Sequence, residues 1–194
     1  NGKVYFFQGN QYVRVNPDNN WEVDNGYPKP IAGNWNGFPA SFANGVDASV
    51  GNDVNNKIYF FKGNEYIRVN PSNSWNVEAG YPKPINGNWP GLDNNFTSDI
   101  GAVLWSGTNN KIYFFKGEDY VRVDPNNNWN QDPGYPKLIA TNRIGNRPDI
   151  KEVFAQLDIN SNWPGFPRSF GQNLDAAVWA HKNGKVYFFQ GNQY

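Results

Sequence analysis

Apolar and polar positions alternate with period two between Lys3 and Val15, and this stretch returns as Lys57 to Val69, returns again as Lys111 to Val123, and begins once more at Lys185. Tyr5 and Phe7 alternate with Val4 and Phe6, and Val13 and Val15 alternate with Tyr12 and Arg14, which predicts two short strands. Between the two runs lie Gly9-Asn10, Gly63-Asn64, Gly117-Glu118 and Gly191-Asn192, small turn-prone pairs that suit a tight hairpin. One hairpin written four times predicts a repeat protein built from β-blades.

Each unit continues in the same way past its hairpin. Asn16-Pro17, Trp21, Gly26-Tyr27-Pro28-Lys29-Pro30-Ile31 and Asn34-Trp35-Asn36-Gly37-Phe38-Pro39 in the first unit match Asn70-Pro71, Trp75, Gly80 to Ile85 and Asn88 to Leu92 in the second. The third unit reads Asp124-Pro125, Trp129, Gly134 to Ile139 and Asn162 to Pro167. A further strand is predicted ahead of the hairpin at Asp47-Ala48-Ser49-Val50 and Asp175-Ala176-Ala177-Val178-Trp179. The blade is then an inner strand opening with Asp-Ala, the aromatic hairpin, and an outer Gly-Tyr-Pro-Lys/Trp-Pro-Gly segment. Repeat units fall at 1–44 (without an inner strand), 45–98, 99–174 and 175–194 (partial). The step from Lys3 to Lys57 and from Lys57 to Lys111 is 54 residues, whereas Lys111 to Lys185 is 74, so the third unit carries an insertion at 141–160. Within it Ile150, Val153, Phe154 and Leu157 form one apolar stripe after Pro148-Asp149, which predicts a short helix packed on the blades.

Residues 1–12 return letter for letter as residues 183–194. Joining Tyr194 to Val13 would give a seamless ring of three units with one strand written twice. The identity exceeds that between the second and third units, and permutation or engineering, fragmentation and recent duplication each account for it. The chain starts inside a repeat, so a leader is expected to be absent or removed.

Composition narrows the chemistry. Lys plus Arg and Asp plus Glu are 17 each, which gives no electrostatic reason to expect nucleic acid or an anionic membrane surface. No apolar run is long enough for a membrane span. With no Cys and one His, Cys-His catalysis is excluded, and a hydrolase triad would depend wholly on His181, placed in the turn before a hairpin. The acidic cluster Asp18, Glu22 and Asp24 reads as a solvated loop without counterparts in the next units. Arg14, Arg68 and Arg122 suit carboxylate ligands, yet each follows a Tyr on the face opposite two aliphatic residues, which favours a stacked structural arginine. Aromatic residues make up 17% of the chain, with eight Trp. Trp21, Trp75 and Trp129 recur in Asn-rich loops, where a sugar could stack, although repeated aromatics more commonly pack between repeats. Asn95-Phe96-Thr97 is a glycosylation sequon, a triplet with a high false-positive rate.

The linked motifs Asp-Ala, Tyr-Phe-Phe-Lys-Gly-x-x-Tyr-x-Arg, Gly-Tyr-Pro-Lys-x-Ile and Trp-Pro-Gly-Phe-Pro resemble the haemopexin repeat over nearly the whole chain outside 141–160. The resemblance implies an all-β fold, a four-bladed β-propeller of four-stranded blades around a narrow tunnel. It further implies that residues opening the inner strands hold a calcium or sodium ion, largely through main-chain oxygens. The matching positions are Asp47-Ala48 and Asp175-Ala176. Aligning Trp105 with Trp179 puts Gly101-Ala102 in the same place, and Asp99, two residues earlier, reaches the site only through a bulge. The expected function is a non-catalytic module that binds protein or small-molecule ligands, in a secreted or extracellular setting. Haem binding is the alternative, with His181 the one imidazole, and a multivalent lectin-like protein is the third reading. Two complete and two partial blades also predict association of copies by strand exchange.

Overall fold

The computed structural model describes residues 2–138 and, by backbone alone, the strand segments 176–180 and 185–189. The helix expected in the insertion lies outside the described residues. The chain divides into two compact units, Asn1–Val46 with Asp149–Tyr194, and Asp47–Pro148.

In the first unit β1 (Val4–Gln8) and β2 (Gln11–Asn16) form the predicted hairpin, with Phe6 opposite Val13 and Gln8 opposite Gln11. Gly9 closes it at φ +52°, a left-handed backbone that the first central position of a II′ turn requires and that glycine adopts without strain. The outer edge is split. β3 (Glu22–Val23) pairs with the far end of β2, and β4 (Lys29–Pro30) pairs with its near end. Among the described residues, Trp89-Pro90-Gly91 and its first-unit equivalent form no strand: Trp35 drops 6% exposed against Tyr5, Phe7 and Tyr12. A single helical turn, α1 (Ala40–Ala43), then buries Phe42.

The second unit contains two whole blades. β5 (Ala48–Asn52), β6 (Lys57–Lys62) and β7 (Glu65–Asn70) are followed by the split outer strand β8 (Asn76–Val77) and β9 (Lys83–Pro84). A 3-10 turn at Asn94–Phe96 leads into the next blade. That blade is β10 (Ala102–Ser106), β11 (Lys111–Lys116) and β12 (Asp119–Asp124), with β13 (Asn130–Gln131) and β14 (Lys137–Leu138) as its split edge. The last ladder, β15 (Ala176–Ala180) on β16 (Lys185–Phe189), keeps the inner register: Ala176 faces Phe189 as Ala48 faces Phe61 and Ala102 faces Phe115.

Period-two alternation places different side chains on the two faces of each blade, and in the second blade, β5 to β9, both faces are apolar. On β6 and β7 one face carries Phe60, Ile67 and Val69, and the other carries Tyr59, Phe61 and Tyr66, all buried. The aromatic face of this blade meets Phe114, Val121 and Val123 of the next in one core. Trp89 sits at the join, with ring centroids 5.5 Å from Tyr59, 5.6 Å from Phe61, 5.7 Å from Tyr66, 5.1 Å from Phe114 and 5.4 Å from Trp129. Edge-on contacts of this kind add to the burial of the rings themselves. Trp129 reaches this join from a backbone at φ +60°, a costly conformation for a tryptophan, which the packing of its ring offsets. Gln131 fastens the same seam, its N–H donating to Pro90 O at 3.3 Å and its Oε1 accepting from Asp93 N at 2.9 Å.

Phe114 is fully buried between the two blades, so Phe114→Ala is expected to lower the unfolding free energy by about 3–5 kcal/mol, measured by denaturant titration.

Candidate functional site

The positions singled out for a cation lie where the chain enters each inner strand. Asp47 N donates to Phe61 O at 2.9 Å, and Gly101 N donates to Phe115 O at the same distance, so Gly101-Ala102 occupies the place of Asp47-Ala48 one blade on. Gly63, in the β6–β7 turn, ties the two entrances together. Its N–H donates to Asp47 Oδ2 at 2.7 Å, and its carbonyl accepts from Asp99 N at 2.9 Å. Asp99 stands two residues before Gly101 with φ +48°. That kink lets Ile100 turn inward, 1% exposed, and leaves Asp99 itself exposed. Just before it, Lys116 Nζ donates to Ser98 O at 2.8 Å. Ala48 is buried, Ala102 half-buried. Ala176 opens β15 in the equivalent register, while Asp175 and His181 lie outside the described residues.

Among the described residues no group of three or more His, Cys, Asp or Glu side chains comes together. One oxygen of Asp47 caps a turn, and Gly101 has no side chain to offer, so a cation at these entrances would depend on main-chain oxygens. The double role of Gly63 was missed by the sequence reasoning. Its signal was the glycine standing first in every hairpin turn, read there only as a turn former.

The arginine of each of the first three hairpins is engaged elsewhere. Arg14 Nε donates to Asp24 Oδ2 at 2.5 Å and Arg122 Nε to Asp132 Oδ2 at 2.5 Å, and Arg68 makes the same bond to Glu78. Each guanidinium also lies over a ring, 5.2 Å from Tyr27, 5.3 Å from Tyr81 and 5.2 Å from Tyr135. Lys29, Lys83 and Lys137 approach the same rings at 5.0, 5.0 and 4.7 Å. The arginines are therefore stacked and paired, in line with the structural reading. The acidic cluster needs correction. Asp24 is not a solvated loop residue without counterparts: Glu78 and Asp132 follow it at steps of 54 residues and hold the matching arginines. The opposite charge on a neighbouring strand was invisible without the register. Trp129, considered as a sugar platform, packs against Tyr59 and Trp89 instead.

Burial works against the charged form of Glu78, but hydrogen bonds from Lys57 and Arg68 outweigh it and hold this carboxyl below its ordinary range. A hydrogen bond from Lys111 does the same for Asp124. Burial, reinforced by Tyr81, pushes the Tyr66 hydroxyl well above the usual phenol range.

The haemopexin family model matches residues 1–40, 46–94 and 100–145. The chain belongs to the haemopexin family. This bears out the resemblance read from the repeats, and the all-β expectation with it. An interstitial collagenase from Equus caballus is 29% identical over 192 residues, which is 99% of this chain and 32% of that protein. The chain thus spans about a third of the length of that relative. A seed albumin from Lathyrus sativus shares the fold at TM-score 0.69 and 24% identity, covering 98% of this chain and 78% of that one. A plant lectin with two metal binding sites, from Cicer arietinum, matches at TM-score 0.54 and 26% identity, over 71% of this chain and 59% of that one.

Two outcomes check the haemopexin entrance geometry. Gly63→Ala is expected to cost about 1–2 kcal/mol because position 63 sits at φ +54°. Gly101→Ala should be tolerated, its new Cβ meeting only Phe115 O at an ordinary 3.5 Å, and thermal unfolding of the two variants separates the cases. For the carboxylates, depressed folded values mean stability that is present at neutral pH and lost as pH falls below about 4. Glu78→Gln should flatten the acid limb of a plot of unfolding midpoint against pH.

Proposed function

We propose that this haemopexin-family chain is a non-catalytic binding module for a protein or small-molecule ligand, with a calcium or sodium ion at the inner-strand entrances. The observation that carries the reading is the commitment of its ionic side chains to structure: Arg14, Arg68 and Arg122 are each both paired and stacked. These three arginines are therefore committed among the described residues, which turns the reading toward main chain and loop surface for binding. The oxygens that would hold the ion belong to Asp47, Ala48, Gly101, Ala102, Asp175 and Ala176, with Asp99 alongside. Calcium accepts such carbonyl donors readily. The likeness to a lectin with two metal binding sites supports the ion and keeps carbohydrate as the second ligand class. Haem is the less favoured ligand, because one His per chain would require His181 from two copies. An extracellular setting fits a relative named as an interstitial collagenase.

Self-association belongs to the same reading. Lys185–Phe189 has the letters of Lys3–Phe7, so the register that seats Ala176–Ala180 on the one would seat it on the other. Exchange between copies would then substitute like for like.

The deciding experiment is a haemin titration in the visible spectrum, run beside calcium addition to metal-free protein and native mass on the same sample. The expected result is no haem band, a thermal midpoint that rises with calcium, and a mass above that of one chain. A saturable low-spin Soret band lost in His181→Ala would replace this reading with haem transport, and a midpoint indifferent to calcium and sodium would remove the ion.

A further inference from the structure

We propose that Asn95 is an acceptor for an N-linked oligosaccharide. Asn95-Phe96-Thr97 places a carboxamide two residues before a hydroxyl, the pattern this modification requires. The repeats themselves isolate the feature. The first unit has Ser41-Phe42-Ala43 at these positions and the third has Ser169-Phe170-Gly171. The central Phe stays in all three, both flanking residues differ, and only the pair of differences in the second unit makes an acceptor. The chain is rich in Asn, yet its other Asn-x-Ser/Thr triplet, Asn70-Pro71-Ser72, is blocked by proline.

The structure presents this Asn outward. Asn94–Phe96 is one 3-10 turn, held by Asp93, whose Oδ1 accepts from Asn95 N at 2.9 Å. Phe96 points into the core, 1% exposed, and so anchors the turn, while Asn95 is exposed. No hydrogen bond among the described residues engages the Asn95 carboxamide. Other carboxamides of the same unit are committed to structure: Asn88 Nδ2 donates to Pro84 O at 3.0 Å and Asn55 Nδ2 to the Tyr59 hydroxyl at 2.7 Å. A bulky polar substituent on Asn95 therefore extends into solvent without displacing Phe96 or breaking an existing bond. The same substituent on either of those other residues would break one.

In the transfer step the Asn95 amide nitrogen attacks the anomeric carbon of an oligosaccharide carried as a polyprenyl diphosphate. The N–C bond forms as the C–O bond to the diphosphate breaks. Polyprenyl diphosphate leaves, the amide proton passes to a base of the transferase, and nothing is oxidised or reduced.

The inference rests on the extracellular setting proposed above, since the donor is met on the secretory route, and the test separates the two. The full chain, given a secretory leader, is expressed in a eukaryotic cell, so the route is supplied and the outcome reports on Asn95 alone. Intact mass is measured before and after peptide N-glycosidase. The expected result is a mass gain in the wild type, removed by the enzyme with an aspartate left in place of Asn95, and no gain in Asn95→Gln or Thr97→Ala. Thr97→Ala also loses the bond from Thr97 Oγ1 to Asn94 O, so thermal midpoints of both variants made in a bacterial cytosol confirm that they fold. Wild-type protein secreted at its unmodified mass would overturn the proposal, as would a gain that persists in Asn95→Gln.

Discussion

The second compact unit depends on the contact between the aromatic face of the second blade and the largely aliphatic face of the third. A sheet with one wet face can stand at the surface by itself, but the second blade has none. Phe60, Ile67 and Val69 fill one side of the second blade, and Tyr59, Phe61 and Tyr66 fill the other. Such a unit buries its apolar area only between neighbours, which is why the hairpin is written repeatedly rather than once. Trp89 shows how much that burial outweighs: its indole N–H finds no acceptor among the described residues, yet five rings surround it.

The same demand shapes the edges. The outer strand is broken into two short pieces so that the tyrosine between them can fold back over the hairpin, Tyr81 against Tyr66 at 5.4 Å. That ring then offers a face to Arg68 and Lys83, and Glu78 neutralises the arginine. Charges that sequence reading could assign to ligands thus close the outer edges of the first three hairpins. The loops that enter the inner strands are held by turns such as the one at Gly63, which bonds both Asp47 and Asp99.

Much of this was legible in the sequence because it is local. Strand alternation, the glycine that opens each hairpin turn and the step of 54 residues need no knowledge of distant contacts, and they led to the right family and fold class. The alignment of Gly101 with Asp47 was also readable, since the inner-strand register propagates residue by residue from Trp105. What escaped reading is made by strands that meet across ten or more positions. The pairing of Arg14 with Asp24, the seam tied by Gln131 and the two hydrogen bonds that join Gly63 to Asp47 and Asp99 belong to that class.

The sequence by itself determined that the chain is a set of β-hairpin blades and that Cys-based chemistry is absent, because residue type and short-range period settle those matters. Tertiary structure alone decided which aromatic rings serve the core and which carboxylates serve the arginines. Trp129 and Glu78 have no neighbour in sequence that reveals their task; their partners are brought to them only when one strand pairs with another and one sheet is laid on the next.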